Sequence, residues 1–376
     1  YKSIGVPGKA LAVFYIENDV IVEIPEFSLE TDELELVGSA HYSEANGQLD
    51  RIKLNRIAYG RTDLSGILVP GATGVWDADF SGTSLDLSPV WEDMMYGDLF
   101  DSGERVLENI TVSTQFDKVW LSQDRFIESM TGAFVQAEDK WRTVYITANV
   151  ASGAPLQIKL SPSELENKRI LTAWSTDAGS VLKTFDIYNT MLDGELSLAG
   201  HFDDDDENSP LYGFFDVKDY RIVGAPTLAK VVSIMSLTGI ADALQGDGLA
   251  FTTLHIPFRY GGGVLELREA KATGSSLGFT AAGKLYTHAD AIDVTGTMVP
   301  VYAMNSLLGK IPLLGNIFTG GEEGGGIFAA DYYMSGSIDD PEISVNPLSM
   351  LTPGFLRNIF NVFESDKLPE GVETGN

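Results

Sequence analysis

Short runs of alternating apolar and polar residues, cut by Gly, Asp and Asn, constrain this chain more than any other feature. Between Val144 and Val150, the residues Val144, Ile146, Ala148 and Val150 take one side of an extended chain. Tyr145, Thr147 and Asn149 take the other. Leu156, Ile158 and Leu160 continue the apolar face after a turn at Gly153, Ala154 and Pro155. Leu196 and Leu198 lead to Phe202 on one face, and Leu254, Ile256 and Phe258 alternate with His255 and Pro257. After Gly261 to Gly263, Leu265 and Leu267 alternate with Glu266 and Arg268, and Leu277, Phe279, Ile292 and Val294 follow. Successive side chains of a strand point to opposite faces, so each run is one apolar and one wet face. Short connections between the runs predict an antiparallel meander.

Helical spacing is sparse. Pro226 to Leu244 predicts a helix, with Leu228, Val231, Val232, Met235 and Ile240 near helical spacing and Pro226 suited to the first turn. Tyr302 to Phe318, broken by Pro312, and Phe355 to Phe363 predict two more, so helix is expected mainly after Gly224. Ser161 to Glu164 reads as a short helical turn capped by Ser161, and Met94 to Arg105 as irregular or weakly helical. Gly320 to Gly326 reads as a flexible turn.

Charge narrows the function classes. Fifty-four acidic residues against 25 basic ones give a formal net charge of -29. Such a surface repels phosphate backbones and anionic headgroups, which argues against nucleic acid and makes any membrane contact local and apolar. Absence of cysteine removes disulfides and thiol chemistry. The chain begins at Tyr1 without a signal-like apolar segment, which reads as a processed or truncated piece with any anchor outside it.

No catalytic signature emerges. His41, His201, His255 and His288 are scattered, and neither a nucleophile elbow nor a phosphate loop is present. The Gly261 to Gly263 run precedes a strand and so lacks the helix end that binds phosphate. Asp203 to Asp206 has the oxygens for calcium but not the spacing of a calcium loop, and reads as a solvated hairpin loop. No catalytic residue, metal ligand or cofactor is expected. The apolar faces admit two architectures: a closed sandwich or barrel with a dry core, or an open curved sheet whose inner face binds acyl chains. On pattern alone the closed core is the simpler reading.

The C-terminal third shifts that balance. Thr295 to Gly315, Tyr332 to Pro341, Val345 to Ser349 and Pro353 to Arg357 resemble the C-terminal region of AsmA-like proteins of the YhdP type. Asp177 to Leu182 and Gly194 to Leu198 are similar to the same family, and Trp76 with Gly82, Leu85 and Asp86 more faintly so. The resemblance implies a mainly β fold: a long, curved antiparallel sheet forming an open, taco-like hydrophobic groove, with a few helices toward the C-terminus. It divides the chain into a groove segment over 1–223, its continuation with helices over 224–367, and a disordered tail over 368–376.

For function it implies non-enzymatic phospholipid transport across the periplasm of a Gram-negative envelope, supporting the outer-membrane barrier. The groove would bridge the inner and outer membranes, with the inner-membrane anchor outside this chain. Strands ~4.8 Å apart would span on the order of 100 Å in about twenty steps. The candidate lipid-binding residues are Val144, Ile146, Leu156, Ile158, Leu196, Leu198, Leu254, Ile256, Leu265, Leu267, Leu277 and Phe279. Tyr302 to Phe318 is expected to pack on a sheet end. In Phe355 to Phe363, the residues Phe355, Ile359 and Phe363 are expected to meet the outer membrane. The other reading is a structural or assembly β-domain of the envelope with a closed, dry core.

Overall fold

The computed structural model describes residues 7–17, 20–43, 47–71, 75–91, 109–137, 140–163, 167–206, 208–234, 244–300 and 330–346. Among them are nineteen strands, two short α-helices and one 3-10 turn at Thr287–Ala289. The fold is mainly β, and all nineteen strands belong to one open sheet. The expected segments Met94 to Arg105, Tyr302 to Phe318, Gly320 to Gly326, Phe355 to Phe363 and 368–376 lie wholly outside the described residues.

The first strands are β1 (Gly8–Glu17), β2 (Val20–Thr31), β3 (Leu34–Tyr42), β4 (Leu49–Tyr59), β5 (Thr62–Pro70) and β6 (Trp76–Asp86). Next come β7 (Ile110–Trp120), β8 (Phe126–Ala137), β9 (Lys140–Val150), β10 (Pro155–Pro162), β11 (Lys168–Ser175) and β12 (Met191–Asp203). They are followed by β13 (Leu211–Ile222), β14 (Leu249–Gly261), β15 (Val264–Gly274), β16 (Leu277–Tyr286), β17 (Ala291–Pro300), β18 (Ala330–Gly336) and β19 (Glu342–Asn346). Helix α1 is Ala178–Thr184, and α2 is Pro226–Ile234.

Pairing follows chain order and is antiparallel from β1 to β6, from β7 to β12 and from β15 to β19. The meander expectation fails at one step. β6 and β7 run parallel, with Trp76 opposite Ile110 and Asp86 opposite Trp120. Parallel neighbours cannot be joined by a hairpin, and the chain between these two strands is correspondingly long.

Two further expectations are corrected. Ser161 and Pro162 end strand β10 and pair with Ile170 and Arg169, so no helical turn begins there. α1 lies well before Gly224, where little helix was expected. Its start is an N-cap: the Asp177 carboxylate accepts from the Ser180 amide at 2.9 Å and from the Ser180 hydroxyl at 2.6 Å. The α2 expectation holds over Pro226–Ile234, where Val231 and Val232 are buried.

The described chain forms two compact units. One holds β1 to β11, most of β12 and the start of β13; the other holds the remainder of β13, most of β14, and β15 to β19.

Candidate functional site: an apolar sheet face

Strand register decides which side chains share a face, because directly opposed residues point the same way. In the first unit one face can be followed strand by strand. Ala12 opposes Phe27, Leu29 opposes Leu36, and Ala40 opposes Ile52. Ile52 opposes Leu68, Leu68 opposes Ala78, and Ala78 opposes Val112. Val112 opposes Phe134, which opposes Val144, and Val144 opposes Leu160. Leu160 opposes Leu171, and the neighbouring Ala173 opposes Leu198. This inner face carries apolar side chains on every strand from β1 to β12.

Six of the twelve expected lipid-binding residues lie on it. Ile146 opposes Ile158, and Ile158 opposes Ala173, which opposes Leu198. Leu156 and Leu196 both lie opposite inner-face positions, and Val144 completes the set. In the second unit Leu265 opposes Leu285 and Leu267 opposes Gly283. Phe279 opposes Ala272 and Met298, while Leu277 opposes Pro300. Those four residues therefore share one face of β15 and β16. Leu254 and Ile256 lie on β14, on the side away from His255, whose ring stacks on Phe214 at 5.3 Å and whose Nδ1 sits 2.6 Å from Asp216. Phe355, Ile359 and Phe363 lie outside the described residues.

Burial along the inner face is uneven. Among the described residues up to 91, only Gly38, Ala40 and Ala78 are buried. Ile24, Phe27, Leu36, Leu54, Ile57, Leu68, Trp76 and Phe80 are only partly covered. A dry core would seal such side chains. From β7 onward the face is covered in part. Phe116, Met130, Val144, Leu156, Leu160, Leu171 and Leu196 are buried, whereas the row Ile146, Ile158, Ala173 and Leu198 between them is half-buried.

Aromatic rings lie over cross-strand glycines on this face. Phe27 covers Gly38, and Phe80 covers Gly66. In the second unit Tyr332 covers Gly296 and donates to the Thr280 carbonyl at 2.6 Å. Burial pushes the Tyr332 phenol well above its ordinary pKa. A Cβ at any of these glycines would collide with the ring. The ring fills the space that a side chain on the glycine would take.

The partly covered stretch of β9 to β12 is bounded at both strand ends. At one end, α1 packs against β9, and Ala148, Leu156, Ser175 and Leu196 are buried. At the other end, Arg169 lies on the inner face with its side chain 2% exposed. Its Nε and Nη2 donate to Asp204 at 2.8 Å each, Nη1 donates to the Trp141 carbonyl at 3.1 Å, and the guanidinium lies 4.5 Å from the Phe202 ring. Lys140 adds a contact to Asp204 at 3.2 Å and one to Ser209 at 2.7 Å. Burial alone would raise the Asp204 pKa. Arg169, then Lys140, outweighs it and holds the group at about 2.

This corrects the reading of the Asp203 to Asp206 run as a solvated loop. Asp205 and Asp206 are exposed, but the Asp204 side chain is only 4% exposed and closes a buried ion pair. Among the described residues no acidic or histidine cluster has the arrangement to hold a metal ion. Arg169 and Asp204 escaped sequence reasoning because they are 35 residues apart; an Arg at the same parity as Leu171 and Ala173 in β11 was the signal available.

The chain matches no family model, no curated protein and no solved structure.

Proposed function

We propose that the protein is a non-enzymatic carrier of phospholipid, which moves with its acyl chains against the inner apolar face. The observation that carries this reading is the continuity of that face from β1 to β12 together with its partial exposure. Acyl burial contributes ~0.8 kcal/mol per methylene, so a long apolar surface holds lipid without one specific pocket. Where neighbouring positions are nearly equivalent, a bound chain slides between them at little cost. The AsmA-like reading of the C-terminal segments supports siting this activity in a Gram-negative periplasm, as a groove between inner and outer membranes that supports the outer-membrane barrier.

The structural reading, a β-domain with a closed dry core, draws on Val144, Leu156, Leu160 and Leu196, which are buried. It leaves the partial exposure of the apolar side chains of β2 to β6 without a role. Mass spectrometry of the denatured purified protein separates the two: phospholipid in a reproducible molar ratio is expected for a carrier. Lipid-free protein, unable to extract phospholipid from vesicles, would select the closed core.

A further inference from the structure

The opposite, outer face of β5 to β12 carries a second pattern. Ser65 opposes Ser81, Ser81 opposes Gln115, and Gln115 opposes Thr131. Thr131 opposes Thr147, which opposes Gln157; Gln157 opposes Trp174, and Trp174 opposes Ser197. This row crosses eight strands without one charged residue, in a chain of net charge -29. Its members are hydroxyls and amides, with one indole, Trp174, next to the last. Tyr145 lies one row away, between Ala133 and Lys159.

Trp174 and Tyr145 are each 39% exposed. Both are held in place: Trp174 Nε1 donates to Glu195 at 3.3 Å, and Gln157 Nε2 donates to the Tyr145 hydroxyl at 3.0 Å. Thr131 and Thr147 bond hydroxyl to hydroxyl at 2.6 Å. Beside Trp174 a cavity of about 250 Å³ is lined by Ser129, Thr147, Asn149, Pro155 and Gln157. A bulge in β8 opens it, where Ser129 takes φ 52° and the register with β9 shifts.

We infer that this outer face binds a neutral, extended β-linked glycan, with one sugar ring stacked on Trp174 and seated in the adjacent cavity. Aromatic faces carry negative quadrupole charge, and the axial C–H groups of a pyranose present the complementary positive edge. Sugar hydroxyls match a row of hydroxyl and amide partners that both donate and accept. Strands lie ~4.8 Å apart, close to the length of one pyranose in an extended chain, so a glycan crossing the strands meets one polar side chain per ring. An anionic polymer is disfavoured by the acidic chain, whereas a neutral one is not. This inference stands apart from the lipid reading, which uses the inner face.

The test uses the whole chain with the β-1,4-linked tetramer of N-acetylglucosamine as probe, followed by calorimetry and tryptophan fluorescence. Saturable binding is expected, weakened about tenfold or more by Trp174→Ala, as for loss of a stacking contact. Trp174→Phe should retain most of the affinity. Gln157→Ala, a surface change that leaves the fold intact, should weaken binding as well and serves if Trp174→Ala does not fold. No binding by the wild type overturns the inference. So does binding that neither Trp174→Ala nor Gln157→Ala alters, or equal binding of α-linked maltotetraose, which curls.

Discussion

At the residue scale the buried Arg169 and Asp204 pair has the sharpest consequences. Removing one partner of a buried pair leaves the other charge without compensation. Asp204→Ala is therefore expected to cost about 3–5 kcal/mol in urea unfolding, while Arg169→Met with Asp204→Leu costs much less. The pair also links stability to pH. Asp204 has a folded pKa near 2 against an ordinary 3.8, so its contribution is present above about pH 4 and is lost as pH falls toward 2. Between those values the wild type should lose more stability than the double variant, which lacks the group. Gly296 is the second case. It lies under the Tyr332 ring, and Gly296→Ala should destabilise by about 1–3 kcal/mol in thermal unfolding through overpacking.

At the element scale the rows of β9 to β12 differ in what they tolerate. Ile146 and Leu198 are half-buried, and Leu156 and Leu196 are buried on the same face. Ile146→Asp or Leu198→Asp should leave soluble, strand-rich protein, because water reaches the new carboxylate, yet should remove co-purified lipid. Leu156→Asp or Leu196→Asp should abolish soluble protein, because a buried unpaired charge costs several kcal/mol. Loss of soluble protein for all four, judged by yield and circular dichroism, would mean that the face is a closed core. Alternation in the sequence marked both rows identically. Depth of cover in the folded sheet separates them, and α1, which packs against β9, was signalled locally only by Asp177 and Ser180 as a cap.

At the scale of the whole molecule, one expectation concerns the membrane. No described helix is long and apolar enough to cross a bilayer. The C-terminal segment with Phe355, Ile359 and Phe363, outside the described residues, is proposed as an interfacial contact. Wild-type protein should float with liposomes, and a variant with all three changed to Ser should not; equal flotation of both would remove the segment from any membrane role.

The sequence by itself determined the class of fold and much of the inner face. Strand alternation is a local property: a side chain's side of the sheet follows from its parity, so Val144, Ile146, Leu156 and Ile158 were legible as one set. The AsmA-like resemblance suggested an open sheet rather than a closed one. Tertiary structure alone decided the rest. The parallel step from β6 to β7 depends on how a long connection returns, which no short pattern encodes. Arg169 meets Asp204 only when β11 and the loop after β12 are adjacent, so a run of four aspartates looked uniform although one of them is buried. The outer row from Ser65 to Ser197 is scattered over eight strands and becomes contiguous only through register. Parity along a strand is written in neighbouring residues. Cover, ion pairing and cross-strand rows arise from residues far apart in the chain, and only the folded sheet brings them together.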